Sequence, residues 1–152
     1  MRWLALVVAV LLAACSTEVP GTPAPKPALA AASPLELRFV VEAEGNVLKD
    51  KAGVSYRVGP VVLVLAEFTK ASVGYAPASG HHVRLELPDD EAAKFARFTM
   101  ENVGKQVAMV VAGKIAFAPV IERPVSGGVI QLDGEFTAVQ AQEIVDAIKG
   151  GS

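Results

Sequence analysis

Apolar and polar residues alternate through "LELRFVVEAEG": Leu35, Leu37, Phe39, Val41 and Ala43 fall on one side, and Glu36, Arg38, Glu42 and Glu44 on the other. A period of two predicts a strand with one wet face. Gly45 and Asn46 open a polar turn, and "VSYRV" (54–58) reads as a second short strand. Gly59-Pro60 then predicts a break before the apolar "VVLVLAEF" (61–68), which reads as a buried strand, too short to span a membrane. The segment "TKASVGYAPASG" is ambiguous and is expected to be a loop with at most one turn of helix. In "HHVRLELP" alternation returns with Val83, Leu85 and Leu87 inward.

Pro88 followed by Asp89, Asp90 and Glu91 predicts a helix start, with an oxygen-bearing cap and negative charge at the free amides and the positive dipole end. Ala92, Phe95, Ala96, Thr99 and Val103 recur at helical spacing, Phe98 and Met100 are expected to pack at a flank, and Gly104 ends the helix. "KQVAMVVAGKIAFAPVIE" predicts a hairpin turning at Ala112-Gly113-Lys114, with a strand buried on both faces. Pro119 has no amide donor, so the second strand should lie at an edge or bend there. After the turn "PVSGG", "VIQLDG" is a further strand. "TAVQ" (137–140) is a capping box opening a helix whose inner stripe is Ala141, Ile144, Val145 and Ile148, closed by Gly150 and Gly151. The expected class is α+β, an antiparallel sheet with two amphipathic helices on one face.

Composition adds an address. The chain has 152 residues and a net charge of -2, with 52% hydrophobic and 20% charged residues, so one globular core is expected. No run of Lys or Arg offers a nucleic-acid footprint. "MRWLALVVAVLLAAC" runs from Trp3 to Ala14 without a charge, which suits the hydrophobic region of a secretory leader and is too short to span a bilayer. It ends in "LAAC" at Cys15, the one cysteine of the chain. This resembles the lipobox of bacterial lipoproteins. The resemblance implies cleavage before Cys15, a diacylglyceryl thioether on its sulfur and a third acyl chain on the new amino group, hence stable membrane anchoring. Ser16 in the second mature position points, by the sorting pattern of such lipoproteins, to the outer membrane. Residues 16–34, with prolines at 20, 23, 25, 27 and 34, read as a tether. At roughly 3.1 Å per residue it would reach about 60 Å.

Candidate chemistry is sparse. His81 and His82 are the two histidines, and neighbours in a strand point to opposite faces, so they cannot chelate one ion together. Asp89, Asp90 and Glu91 read as a helix cap in preference to a catalytic cluster. Gly127-Gly128 has no helix after it to present amides to a phosphate. Neither a nucleophile elbow nor a zinc-protease motif is present, so no enzyme activity, metal, cofactor or small-molecule substrate is expected.

One long segment points to a family. "ELPDDEAAKFARFTMENVGKQVAMVVAGKIAFAPVIERPVSGGVIQLDGEFTAVQAQEIVDAIKGG" carries a helix ending in Thr-x-x-Asn-x-Gly-Lys, an apolar hairpin ending in Ala-Pro, a Gly-Gly turn, a Gly-x-Phe-Thr step and a Glu/Ala-rich helix. This order is similar to the end of the large periplasmic domain of SecD, the accessory membrane subunit of the bacterial Sec export machinery. The matching positions are Thr99, Asn102, Gly104, Lys105, Gly113, Ala118, Pro119, Gly127, Gly128, Gly134, Phe136 and Thr137. Glycines, a proline and a cap preserve a fold and do not mark a reaction site. The resemblance implies a head domain that contacts polypeptide, while a membrane bundle supplies the proton-driven motor.

Three regions are therefore expected: a lipoprotein leader (1–14), a lipidated Cys15 with its tether (15–34), and a SecD-head-like α+β domain (35–151). The expected role is a lipid-anchored envelope module that contacts polypeptides or an export complex, without translocase activity of its own. An exposed edge near Pro119 is the expected surface for strand addition. A structural spacer or oligomerisation unit is the alternative reading, and an unrecognised hydrolase acting through His81 or Asp90 a third.

Overall fold

The computed structural model describes residues 27–151. Cys15, the leader and most of the tether lie outside the described residues. Two antiparallel sheets and two helices enclose one main core. The strands are β1 (Leu29–Val40), β2 (Asn46–Lys49), β3 (Ser55–Phe68), β4 (Lys70–Ala76), β5 (Gly80–Glu86), β6 (Val107–Val111), β7 (Lys114–Phe117) and β8 (Val129–Phe136). The helices are α1 (Asp89–Glu101) and α2 (Ala138–Lys149). One sheet has the order β2-β3-β1-β6-β7, the other β4-β5-β8. The α+β class with antiparallel strands holds, and its strands are divided between two sheets.

The main core joins both sheets to both helices: Leu35, Leu37 and Leu65 from the first sheet, Val83, Leu85 and Leu132 from the second, Phe95 from α1 and the four-residue stripe of α2. A smaller cluster of Val58, Ala108, Val110 and Ile115 lies apart from it, with Leu48 and Tyr56 packed against it. β6 contributes alternately to the two, Val107, Met109 and Val111 to one, Ala108 and Val110 to the other. Every residue of β6 is therefore buried, as its unbroken apolarity predicts.

Several expectations are corrected. β1 starts at Leu29, where Leu29 pairs with Phe68 and Ala30 with Glu67, so the strand takes in residues that composition assigns to the tether. The Gly59-Pro60 break does not exist, because β3 runs through it as one 14-residue strand. β2 pairs only with Ser55–Val58, and the β1 register slips between Arg38 and Val40, so Pro60 sits at a bulge with no strand partner on the β2 side and its missing donor costs nothing. Nor is 61–68 a buried strand: Val61, Val62 and Val64 are exposed while Leu65 and Phe68 are inside. The expected loop at 69–80 is β4 and a tight turn, paired with β5 from Lys70↔Glu86 to Ala76↔Gly80. Its alternation was masked by small residues, Ala71 and Gly74.

α2 follows its sequence signals closely. Thr137 Oγ1 accepts from Gln140 N at 3.2 Å, Gln140 Oε1 accepts from Thr137 N at 3.0 Å, and Gly150 closes the helix in the left-handed conformation. Lys51 ties the β2–β3 turn to this helix, donating to Gln140 O at 2.7 Å and Glu143 Oε2 at 3.1 Å. α1 departs from expectation at both ends. Pro88 is its N-cap residue and no side chain caps it, so the acidic first turn acts through the dipole alone. Val103 lies beyond the helix and is exposed, as is Met100.

Candidate functional site

The motif ending α1 builds the wall of a cleft. Thr99 is 2% exposed; its Oγ1 donates to Ala96 O at 3.0 Å and accepts from Val125 N at 2.9 Å. Asn102 Nδ2 donates to Phe98 O at 2.8 Å, and Lys105 Nζ donates to Asn102 Oδ1 at 2.8 Å while lying 4.8 Å above the Phe39 ring. Gly104, at φ +86, turns the chain so that its amide reaches Ile121 O at 2.7 Å. Ile121 N donates back to Lys105 O at 2.9 Å, and Val107 N donates to Pro119 O at 2.9 Å. The Thr-x-x-Asn-x-Gly-Lys pattern is thus a clasp that fixes segment 119–125 against α1.

Between α1, β6, β7, this segment and β8 lies an open cleft of about 370 Å³. Phe95 and Phe98 line it from α1, Met109 and Phe117 from the hairpin, and Ile130 from β8. Phe98 stacks on Phe39 with ring centroids 5.8 Å apart, which holds that wall in place. Thr99 is already satisfied by its two bonds, and the charged groups of the lining, Glu122 and Arg123, are exposed at the rim. Val120 at the mouth is 51% exposed, and Val103, beside the Gly104–Ile121 bond, is 48% exposed. Such a lining takes apolar side chains, with one charge of each sign at the edge for an adjoining backbone. The sequence signal for it was Phe98, an aromatic residue off the main buried stripe of α1.

Thr99→Val keeps the shape and removes the acceptor for Val125 N. The expected result is a loss of about 1–3 kcal/mol in denaturant unfolding and faster hydrogen exchange at Val125. Unchanged exchange there would show that Thr99 does not hold the segment.

The other candidate residues do not converge. His81 lies 5.0 Å from the Tyr75 ring, whereas His82 covers Gly74, where any Cβ would strike its imidazole. Asp89 and Asp90 are exposed at the start of α1. Glu91 is 4% exposed and its Oε1 receives Lys94 Nζ at 2.7 Å. That hydrogen bond and the charge of Glu91 raise the Lys94 pKa, so the pairing is complete below the usual lysine range and is lost as pH rises through the raised value. β7 is the last strand of the first sheet, at an edge as Pro119 predicts, and Asp50 meets it by a single bridge at Ile115, near its start. The Gly-x-Phe-Thr step also has a packing explanation. Gly134 leaves room for the Phe136 ring, which any Cβ at Gly134 would strike, and Glu135 at φ +50 makes the bulge that carries the chain into the Thr137 cap.

The SecDF, P1 head subdomain family matches residues 43–152, the hairpin, clasp and both helices included. The chain belongs to this SecDF P1 head family. The SecD translocase subunit of Acidaminococcus fermentans is 29% identical over 136 residues, covering 89% of this chain and 29% of the relative. That of Sebaldella termitidis is 36% identical over 94 residues, covering 62% and 23%. The chain therefore spans about a quarter of the length of the curated relatives it matches. Two SecDF structures share the fold at 24% identity. One is the super-membrane-facing form, with a TM-score of 0.64 over 81% of this chain and 19% of that one. The other, described as a membrane component that enhances protein export, has a TM-score of 0.62 over 81% of this chain and 64% of that one. β1 precedes the family match yet supplies Leu35 and Leu37 to the core, so the SecDF head fold here includes a strand outside the matched range. No helix among the described residues is long and apolar enough to cross a membrane.

Proposed function

We propose that this SecDF P1 head domain is a lipid-anchored binding module of the bacterial envelope, held at the membrane through Cys15, whose apolar cleft receives side chains of an extended polypeptide or of an export subunit without transforming them. The observation that carries the reading is the cleft itself: an apolar pocket with exposed Val120 in its lining and a wall stitched by backbone hydrogen bonds. Kinship with SecD translocase subunits supports a partner in protein export. With β1 starting at Leu29, the residues from Ser16 to Ala28 form the tether, which at roughly 3.1 Å each reaches about 40 Å.

The test is a photo-crosslinking amino acid at Val120 in the full chain in living cells, compared with the same probe at Val139, an exposed residue of α2. Adducts to an exported protein or translocon subunit are expected at Val120 and not at Val139. Equal labelling at both positions, or labelling at neither, would remove the binding role and leave the spacer reading. Cys15→Ser is expected to move the protein from the membrane to the soluble fraction, and full retention would refute the lipid anchor.

A further inference from the structure

The first sheet has an edge without a partner for most of its length. β2 pairs only with Ser55–Val58, so from Gly59 onward the β2 side of β3 meets no strand among the described residues. The stretch from Val61 to Ala66 carries no charge, and Val61, Val62 and Val64 are 37%, 40% and 43% exposed. Folded proteins guard such edges with charges, prolines or covering segments. Here Pro60 stands at one end and Glu67 at the other, with nothing polar between.

We propose that this edge pairs antiparallel with the same edge of a second copy, about a twofold axis at Val64, to join two sheets into one. The stretch is self-complementary in that sense. With Val64 opposite itself, Val62 meets Ala66 and Glu67 meets Val61, so the two carboxylates stand at opposite ends of the ladder; parallel pairing would set Glu67 against Glu67. Pro60, lacking an N–H, falls opposite Phe68, where the strand ends. On the neighbouring strand Glu36 and Arg38, paired to Val64 and Val61, form an ion pair of 2.8 Å. That pair is electrically neutral as a unit and does not repel its symmetry mate. The contact is isologous, as in most homodimers. Its area is small, so it is favoured where copies are concentrated, as on a shared surface. It does not depend on the cleft: loss of cleft labelling at Val120 leaves it standing.

The test uses the full chain in cells with Val64→Cys. Residues directly opposite in an antiparallel pair have Cα atoms about 4.5–5.5 Å apart, within disulfide reach. The parent chain, which carries only Cys15, sets the baseline. After mild oxidation, Val64→Cys is expected to give at least about tenfold more disulfide dimer than Val139→Cys or the parent, because only paired edges bring the two thiols into that range. Adding Val62→Lys, a charge on the exposed edge, should return the yield to baseline with thermal stability unchanged. Equal yields at Val64 and Val139, a yield unaffected by Val62→Lys, or a disulfide from Val64→Cys to a different protein in place of the dimer would overturn the proposal.

Discussion

Leu85→Ala is expected to lower unfolding stability by about 3–5 kcal/mol, the range for truncating a leucine that cannot be replaced by collapse of its surroundings. Leu85 is fully buried at the centre of the second sheet, opposite Ala71 on β4 and Ile130 on β8, both buried. The row Ala71–Leu85–Ile130 faces the common core, so the lost methyl groups remove contacts that join this sheet to the rest. For a domain of this size the midpoint of thermal unfolding should fall by roughly 10–15 °C. The shape of the transition is as informative as its position. One core shared by two sheets predicts a single cooperative transition by both circular dichroism and calorimetry. Two separated transitions would show that the sheets unfold as independent units and would contradict the single main core.

The second large effect distinguishes two adjacent glycines. Gly127 and Gly128 both have positive φ, +92 and +67. A Cβ on Gly127 would meet nothing within 4 Å, whereas one on Gly128 would lie 3.0 Å from Ala92 Cβ and 3.4 Å from Leu87 O. Gly128 O also accepts from Leu87 N at 2.8 Å, so its backbone clamps the junction between β5, α1 and β8. Left-handed conformation costs an L-residue roughly 1–2 kcal/mol, and overpacking adds about 1–3 kcal/mol more. Gly128→Val should therefore destabilise by about 2–5 kcal/mol, and Gly127→Ala by only about 1–2 kcal/mol. Urea unfolding of the two variants checks the order; a reversal would mean that the approach of β8 to α1 at Gly128 has room to adjust.

Local signals were read correctly where one segment contains its own reason. The Thr137 capping box, the α2 stripe and the turn at Ala112-Gly113, with φ +49 and +76, all depend on residues a few positions apart. The double burial of β6 was also legible, because a strand with no polar residue has no side to turn toward water. Small residues hid β4, and α1 differs at its own ends; elsewhere the differences arise where a distant strand sets the environment. Pro60 reads as a breaker until β2 is seen to stop at Val58. Val61, Val62 and Val64 read as core until Val64 and Val61 are found opposite Glu36 and Arg38 of β1, on the wet face of the sheet. The cleft was legible only in fragments. Thr99, Asn102, Gly104 and Lys105 stood out as a pattern, but the partners that make them a clasp, Val125, Phe98, Ile121 and Phe39, are up to 66 residues away.

Sequence alone determined which segments form the two helices, the cap of α2, that the strands are antiparallel and mixed with helices, and the resemblance to the SecD head. It could do so because hydrogen-bond period, capping and turn chemistry act over a few residues. Only the tertiary structure decided that the strands divide into two sheets, that segment 119–125 is stitched to α1 to form an apolar cleft, and that β3 is left with a bare edge. These follow from which faces meet across the molecule, and burial of an apolar surface is non-directional: an apolar strand is equally content against any apolar partner, so its pattern records the need for cover without recording what covers it.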